Sequence, residues 1–425
     1  MDIAEMYASL GISAEAMAMA TEAEEALRDR FAQIDQIAEF NQLKVLKAFQ
    51  ENKISEADFV RTTGYGNGDI GRDNLEKVFA DVFRTEDALV RAQLISGTHA
   101  ISTALFGNLL PGDEMLSPVG KPYDTLDSII GINDARFSLK EHGVAYRQVD
   151  LLEDESFDYD GIRAAINERT KLVEIQRSRG YSFRHTLSVD EIGELIAFIK
   201  AVKPDVICMV DNCYGEFTEL YEPSELGADL VVGSLIKNPG GGLAPIGGYI
   251  AGKKELVENA AYQLIAPGLG KEIGANLGVN KDLYQGLFLA PTVTAAAEKG
   301  ALLASYVFDR LGFEVSPRPE EVRHDIIQAI VMRSPQALTA FCEGIQAAAP
   351  IDSYVRPEAS EMAGYDDQVI MAAGNFISGA SIELSADGPL RDPYIVFMQG
   401  GLTYPHAKTG VLKAVQSLMD AELIK

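Results

Sequence analysis

The first part of the chain has apolar positions at helical spacing and contains few helix breakers. Apolar residues recur three and four positions apart over residues 14–30 and 37–51, which predicts two amphipathic helices. A stretch rich in Gly, Asn and Asp over residues 62–74 interrupts this pattern and indicates a loop. A further apolar stripe predicts a helix over residues 74–83. We therefore expect an N-terminal helical arm that ends near residue 62.

Apolar, β-rich runs alternate with helical stretches in the next part of the chain. Helices are predicted after residue 97 and over 189–202, and strands at residues 88–95, 114–117, 144–149, 171–175, 205–210 and 230–234. Strands that alternate with helices form βαβ units, in which helices cover both faces of a mostly parallel sheet. Ligands of such sheets bind beyond the carboxyl ends of the strands. The residues that directly follow a strand are therefore the candidates for chemistry.

The pattern changes after residue 286. An Ala-rich helix is predicted over residues 292–309, and short strand-like pieces then alternate with helices up to a last helix over 408–423. This pattern indicates a second, smaller α+β region. We expect three segments, which are a helical arm over residues 1–62, a large α/β domain over 63–290 and a small C-terminal α+β domain over 291–425.

Composition and charge narrow the possible partners. The chain has 425 residues and a formal net charge of −26, which argues against a nucleic-acid partner because phosphate backbones are bound through clustered Lys and Arg. We find no secretory signal, and no uninterrupted apolar run of the roughly 18 residues that a membrane span needs. Three cysteines are too few for a disulfide framework and show no zinc-ligand spacing with the histidines. We expect a cytoplasmic protein without a metal or a membrane partner.

Three segments that follow predicted strands carry residues suited to a charged ligand. Ser96, Gly97 and Thr98 lie between a strand and a helix, where free N–H groups either cradle a phosphate or only cap a turn. Asp211 follows an apolar strand, where it either pairs with a cation such as a protonated ring nitrogen or caps the next helix. Lys237 precedes a Gly-rich stretch. In a desolvated site its amine would attack a carbonyl and form a Schiff base, although most lysines are solvated surface residues.

Tyr123 adds a ring that either stacks on a planar cofactor or packs in the core. The order of these features, with the lysine 26 residues after the aspartate, is the constellation that holds pyridoxal phosphate in fold-type I enzymes. A nucleotide-binding P-loop does not fit, because the glycines come after the lysine. A G-x-G-x-x-G match over residues 66–71 precedes the predicted sheet, which argues against a dinucleotide site.

Six segments together resemble the methionine gamma-lyase family proteins, also called aluminium-resistance proteins, within the cystathionine/methionine-lyase type of pyridoxal-phosphate enzymes. The resemblance covers nearly the whole chain and implies the α/β fold of a fold-type I pyridoxal-phosphate transferase, similar to aspartate aminotransferase. The segments are GYGNGDIGRDNLE (64–76), SGTHAI (96–101), EIQRSRGYSFR (174–184), VDNCYGEF (210–217), GSLIKNPGGGLAPIGGYIAG (233–252) and QGGLTYPH (399–406).

The resemblance implies pyridoxal 5'-phosphate as the cofactor and a catalytic role for three residues. Lys237 would form the internal aldimine and, once displaced by an amino acid, would remove the α-proton. Asp211 would pair with the pyridinium nitrogen and keep it protonated. Tyr123 would stack on the face of the ring.

The resemblance also implies how the phosphate is bound. Gly97 and Thr98 would donate backbone N–H groups, and Ser234 would add its hydroxyl. Tyr65 resembles a tyrosine that reaches the phosphate of a neighbouring subunit, which implies a homodimer or homotetramer with shared active sites.

The chain departs from the family pattern at two of the phosphate-binding positions. The lyases have an arginine two residues after the tyrosine, where this chain has Asn67, and a threonine just before the lysine, where it has Ile236. Phosphate binding must therefore differ in detail, and we consider Arg72 a candidate to compensate.

The implied activity is that of a carbon–sulfur lyase that eliminates the β- or γ-substituent of a sulfur-containing amino acid. The substrate carboxylate needs a bidentate cation, for which Arg391 is favoured over Arg177 and Arg179. Tyr404 is either a proton donor or a residue that packs beside the cofactor. The alternatives are an aminotransferase or another pyridoxal-phosphate enzyme on the same fold, and a non-catalytic protein that binds the cofactor.

Overall fold

The computed structural model describes residues 2–362 and 367–424. In these ranges the α-helices are α1 (Ile3–Ser9), α2 (Ala14–Ala26), α3 (Arg28–Glu51), α4 (Ile70–Val82), α5 (Gly97–Asn108), α6 (Leu126–Ile130), α7 (Tyr159–Ala165), α8 (Val189–Val202), α9 (Lys254–Leu264), α10 (Asn280–Arg310), α11 (Pro335–Ala348) and α12 (Tyr404–Asp420). The strands are β1 (Asp87–Arg91), β2 (Glu114–Ser117), β3 (Ala145–Gln148), β4 (Thr170–Gln176), β5 (Ile207–Asp211), β6 (Leu230–Ser234), β7 (Gly248–Gly252), β8 (Glu314–Ser316), β9 (Gln328–Val331), β10 (Val369–Ala372), β11 (Ser385–Pro389) and β12 (Ile395–Gln399).

Residues 40–290 form one compact unit around a seven-stranded sheet with the order β1-β7-β6-β5-β4-β2-β3. Neighbouring strands from β6 to β3 in this order are parallel, and β7 pairs antiparallel with both β1 and β6. Since β7 alone runs against the others, the carboxyl ends of six strands share one edge of the sheet. This is the edge at which ligands of parallel sheets bind.

The sheet of this unit is buried on both faces, and successive residues of each strand point to opposite sides. On β4, Leu172 packs into the apolar cluster that includes α5, α6 and α9. The next residue, Val173, packs into the cluster that includes α4, α7 and α8. The mostly parallel α/β architecture predicted from the sequence is therefore confirmed.

Residues 1–39 and 291–425 form the second compact unit. Its five-stranded antiparallel sheet has the order β10-β11-β12-β9-β8. Ala16, Ala20 and Ala23 of α2 are spaced three and four residues apart, and they are buried in the same apolar cluster as Phe341 and Val415. The predicted helical arm over residues 1–62 is thus divided, because its first helices pack with the C-terminal part of the chain.

Strand β7 and the start of helix α10 differ from the sequence-based expectation for identifiable reasons. Strand β7 was not predicted, because glycines begin and end it; a Cβ on Gly252 would lie 2.1 Å from the backbone oxygen of Asp229. Helix α10 begins at Asn280 and continues through Pro291, whereas the sequence pattern placed its start after that proline. Within the described ranges, α10 is the helix whose length and hydropathy suffice for a membrane span, and 72% of its most apolar stretch is buried inside the protein, as in a core helix.

Candidate functional site

The ends of β5 and β6 and the first turn of α5 meet at the shared edge of the large sheet. A Cβ on Gly97 would lie 3.1 Å from Ser234 Cβ and 3.3 Å from Cys213 Sγ. Only a residue without a side chain therefore fits at this contact without displacing its neighbours. The structure thus brings together the predicted phosphate loop, the segment after Asp211 and the serine before the lysine.

The first turn of α5 has the features of a helix N-terminus that can accept an anion. Ser96 caps the helix, and its Oγ accepts a hydrogen bond of 3.1 Å from His99 N. Thr98 Oγ1 lies 3.2 Å from Thr125 Oγ1. The N–H groups of a first helical turn have no intrahelical acceptor and carry partial positive charge. The capping interpretation of Ser96 and the phosphate interpretation of Gly97 and Thr98 are therefore compatible.

Asp211 is the last residue of β5, and its side chain is buried. Its Oδ1 accepts a hydrogen bond of 3.1 Å from Cys213 N, and its backbone oxygen accepts one from Arg177 N. A buried carboxylate is costly unless a cation or several donors face it. The position therefore suits a carboxylate that meets a positively charged group of a ligand.

Lys237 follows β6 and is half-buried, with Nζ 4.0 Å from the centroid of the Tyr214 ring. The next residue, Asn238, fixes this segment because its Nδ2 donates to the backbone oxygens of Tyr214 and Glu216 at 2.9 and 3.0 Å. Burial alone would lower the pKa of Lys237, but nearby side chains, which include the Asp211 carboxyl, outweigh it and hold this pKa above its ordinary value. The surroundings of Nζ therefore favour its protonated form.

Tyr123 lies opposite a second tyrosine in the loop after β4. The rings of Tyr123 and Tyr181 meet edge to face, with centroids 5.9 Å apart. Gly180, which precedes Tyr181, has φ +58°, and a Cβ there would lie 2.9 Å from Tyr123 Cδ2. The position of the Tyr123 ring is thus fixed by the loop that carries Arg177 and Arg179.

Arg177 is fully buried and belongs to the framework of this edge. Its Nη1 donates to Asn212 Oδ1 at 2.8 Å, and its Nη2 forms a 2.6 Å ion pair with Glu219 Oε1. Glu222 completes the network, since its Oε2 accepts a hydrogen bond of 2.9 Å from Asn212 Nδ2. These bonds occupy the guanidinium, which corrects the suggestion that Arg177 binds the substrate. Arg179 is also buried, directly after it.

The loop that carries Tyr65 is held by the arginine considered as a phosphate ligand. Arg72 is buried, and its Nη1 donates to the backbone oxygens of Gly66 and Gly274 at 2.9 and 3.1 Å. Its Nη2 also pairs with Asp73 at 2.7 Å. This corrects the suggestion that Arg72 compensates for Asn67. Tyr65 is 72% exposed.

Two predicted substrate residues lie in the other compact unit. Arg391 is exposed, and its Nη1 pairs with Asp367 Oδ2 at 2.9 Å. The Tyr404 hydroxyl donates to Glu24 Oε1 at 2.8 Å, and its ring packs edge to face on Phe31 with centroids 5.2 Å apart. Burial and the Glu24 carboxylate raise the pKa of Tyr404. These contacts engage both the hydroxyl and the ring of Tyr404 within its own unit.

Sequence reasoning missed two buried carboxyl groups at the sheet edge. Glu174 of β4 has no exposed surface, and burial raises its pKa to about 8 with a contribution from Asp211. Glu216 is equally buried; its Oε1 accepts a 2.8 Å hydrogen bond from the Tyr249 hydroxyl, and burial likewise raises its pKa to about 8. The available signal was an acidic residue inside the apolar run KLVEI over residues 171–175.

The arrangement fits pyridoxal phosphate and offers little to a metal ion. A helix N-terminus beside the buried Ser234 suits a phosphate, and the amine of Lys237 lies within electrostatic reach of the buried Asp211 carboxyl. Gln176 Oε1, beside Asp211, is buried and has no hydrogen-bond partner among the described residues, so a ligand donor can still be accommodated there. Residues 2–362 and 367–424 contain no group of three side chains placed to hold a metal.

Comparison with known proteins places this site in a family. A family model described as methionine gamma-lyase matches residues 16–419. The chain belongs to the methionine gamma-lyase family. It is 50% identical over 394 residues to the uncharacterised protein YnbB of Bacillus subtilis, covering 92% of this chain and 94% of that protein.

Solved structures place the family on a known fold. A carbon–sulfur lyase involved in aluminium resistance from Clostridium novyi superposes with a TM-score of 0.93 at 50% identity, covering 97% of this chain and 98% of that chain. The cystathionine gamma synthase of Xanthomonas oryzae has a TM-score of 0.58 at 17% identity, covering 83% and 86% of the two chains. The latter likeness confirms the predicted fold class. Together with the family match, these relatives support a pyridoxal-phosphate-dependent carbon–sulfur lyase in general terms.

Proposed function

We propose that this protein is a pyridoxal-phosphate-dependent carbon–sulfur lyase that eliminates the β- or γ-substituent of a sulfur-containing amino acid. The observation that supports this most is the meeting of Gly97, Ser234, Asp211 and Lys237 at one edge of the sheet. The phosphate of the cofactor requires N–H and hydroxyl donors, which Gly97 and Ser234 would supply. Its ring nitrogen requires a carboxylate such as Asp211, and its aldehyde requires an amine such as Lys237. Family membership supports the reaction class.

Each side chain would make a separate contribution to the reaction. The N–H groups of Gly97 and Thr98 and the hydroxyl of Ser234 would hold the phosphate. Asp211 would pair with the ring nitrogen, and Tyr123 would lie against the ring. When bound, pyridoxal phosphate supplies an electron sink for the carbanion formed at the substrate α-carbon.

Lys237 would be the covalent attachment point and later the base that holds the substrate α-proton at Nζ. Attachment needs the neutral amine, and the raised pKa of Lys237 means that a proton must leave Nζ first. We expect attachment to accelerate as the pH rises. This pH dependence can be measured by stopped-flow absorbance after mixing apoprotein with the cofactor.

The substrate carboxylate would be bound by Arg391 or Arg179. To do so, Arg391 must break its exposed ion pair with Asp367 and bind the substrate carboxylate instead. Breaking a solvated ion pair costs little free energy. Arg391→Met tests the first candidate: loss of the carboxylate contact would raise KM with little change in the unfolding midpoint, because Arg391 is exposed. Arg179→Met removes a buried guanidinium, so a rise in KM is expected together with a lower unfolding midpoint. Transamination is distinguished from elimination because it requires an added 2-oxo acid acceptor.

We also propose a homodimer or homotetramer in the cytoplasm, with Tyr65 reaching the phosphate of a neighbouring subunit. The exposure of Tyr65 on a loop anchored by Arg72 supports this. Lys237→Ala and Tyr65→Phe variants would each be inactive alone. Mixed after subunit exchange, they should recover activity, because one site of each hybrid retains both native residues.

The deciding experiment compares Lys237→Ala with Lys254→Ala, which removes an exposed lysine at the start of α9. Wild type and Lys254→Ala should show the visible absorption of covalently held pyridoxal phosphate. They should also release thiol and 2-oxo acid from cystathionine, cysteine or methionine. Lys237→Ala should show neither. A wild type that never develops the absorption band would refute the cofactor assignment, and a band without product release would favour a non-catalytic binding protein.

A further inference from the structure

Glu174 is a carboxyl group buried on the face of the sheet that α5 and α9 cover. Along β4, Leu172 and Val173 pack into the clusters on opposite faces, so alternation places Glu174 on the face of Leu172, with α5 and α9. Its exposed surface is zero, and neither Oε1 nor Oε2 has a hydrogen-bond partner among the described residues. Apolar cores rarely contain a carboxyl group without a hydrogen-bond partner, because burying an unpaired charge costs much free energy.

The strand register places Glu174 close to the carboxylate that faces the cofactor. Gln176 of β4 lies directly beside Asp211 of β5, and Glu174 is two residues earlier on the same face. Diagonal neighbours on adjacent strands are about 7–8 Å apart at the backbone, within reach of long side chains. Two acids thus share one face, and Asp211 is the one at the end of its strand.

Titratable groups from β5, from the loop after β4 and from β3 interact electrostatically with Glu174. Asp211 on β5 opposes its ionisation, and Arg184 in the loop after β4 favours it. Tyr146 on β3 lies close enough to be influenced by its charge. Arg184 is engaged elsewhere, because its Nη2 donates to the backbone oxygens of Gln176 and Ser178 at 2.7 and 2.8 Å. Burial and the neighbouring carboxylate therefore outweigh the single cation.

We propose that Glu174 is a positioning residue that retains a proton at the base of the cofactor cleft, so that Asp211 alone presents a negative charge to the ring nitrogen. When two nearby carboxyl groups compete for one proton, the more deeply buried group keeps it. A neutral Glu174 leaves Asp211 ionised and prevents repulsion between two carboxylates. The inference rests on the proposed function, since it assigns the ring nitrogen to Asp211.

The proton can be detected in the apoprotein, without the cofactor. Unfolding of wild type and of Glu174→Gln, which mimics the neutral acid, is compared from pH 5 to pH 8. A glutamate in the unfolded chain releases its proton near pH 4.3, whereas the folded protein retains it. The wild-type unfolding equilibrium constant should therefore rise relative to that of Glu174→Gln by about tenfold per pH unit. A ratio that stays constant with pH would overturn the proposal.

A second arm measures the dissociation constant of pyridoxal phosphate at pH 7 for wild type, Glu174→Gln and Asp211→Asn. Because Glu174 is neutral at this pH, Glu174→Gln should bind within about threefold of wild type, and Asp211→Asn should bind far more weakly. Equal losses of pyridoxal phosphate affinity in Glu174→Gln and Asp211→Asn would show that Glu174 acts as a second carboxylate, which would contradict the proposal. If Glu174→Gln does not fold, Glu174→Met allows the same pH comparison. A wild type that binds no cofactor refutes the proposed function, while the apoprotein arm still reports the proton.

Discussion

Arg177 allows a sharp test of whether this arginine binds substrate or holds the sheet edge together. The perturbation is Arg177→Met, which keeps an unbranched apolar stem in place of the arginine stem and removes the guanidinium with every donor. In the structure it eliminates the 2.8 Å hydrogen bond to Asn212 and the 2.6 Å ion pair with Glu219. We expect a strongly destabilised protein whose remaining folded fraction has an unchanged KM.

The size of the effect follows from the burial of the network. Removing one partner of a buried ion pair costs about 3–5 kcal/mol, because the other charge is left uncompensated. Glu219 is 21% exposed, so solvent offsets part of this cost, and the lower end, about 3 kcal/mol, is our expectation. For a unit the size of residues 40–290, each kcal/mol lowers Tm by about 2–4 °C, which gives a fall of about 6–12 °C.

The matched control is Arg391→Met, which makes the same chemical change at an exposed ion pair. The side chains of Arg391 and Asp367 are 51% and 36% exposed, and such pairs contribute at most about 1 kcal/mol. Urea unfolding followed by circular dichroism gives both stabilities, and steady-state kinetics give KM. If Arg177→Met unfolds at the wild-type urea concentration and raises KM, our assignment of Arg177 to the framework is wrong.

Three further predictions concern single groups. Gly97→Ala adds a Cβ 3.1 Å from Ser234 Cβ, and we expect about tenfold weaker pyridoxal phosphate binding by absorbance titration; unchanged affinity would refute a close approach of the cofactor to this turn. Bonds to Glu191 and a second glutamate raise the pKa of His185, and the pKa of Glu191 is lowered to about 2. The loss of stability caused by His185→Gln should therefore be largest from about pH 5 to 6.5 and should vanish as the pH rises through the folded pKa of His185. A loss of stability that grows above pH 8 would contradict the direction of the pKa shift. Tyr404→Phe removes one hydrogen bond and should cost about 1 kcal/mol with kcat nearly unchanged; a hundredfold fall in kcat would identify a proton donor instead.

The α/β class was predictable, and the candidate site could be proposed, because both depend on local pattern. Strands β2 and β6 and helix α8 occupy the predicted residues, since apolar runs and 3.6-residue periodicity are properties of neighbouring positions. The motifs around Asp211 and Lys237 were likewise identified from residues that follow strands. The parallel sheet then places these segments on one edge, as the topology rule states.

Hydrogen-bond partners that are distant in sequence were not predictable in this way. Arg177 meets Glu219 across 42 positions of the chain, so spacing alone could not show that its guanidinium was already occupied. Arg72 was misjudged for the same reason, because one of its acceptors, Gly274, lies 202 positions away. A charged residue near a motif can bind a ligand or the protein itself, and only the folded contacts distinguish these uses.

By itself, the sequence predicted most strands of the large sheet, the family resemblance and the residues that we propose to surround pyridoxal phosphate. The tertiary structure alone decided which side chains remain available to a ligand and which hold the protein together. It also revealed that Glu174 is buried beside Asp211 without a partner. The physical reason is that periodicity specifies which face a residue occupies, whereas desolvation and pairing depend on what the rest of the chain packs against that face.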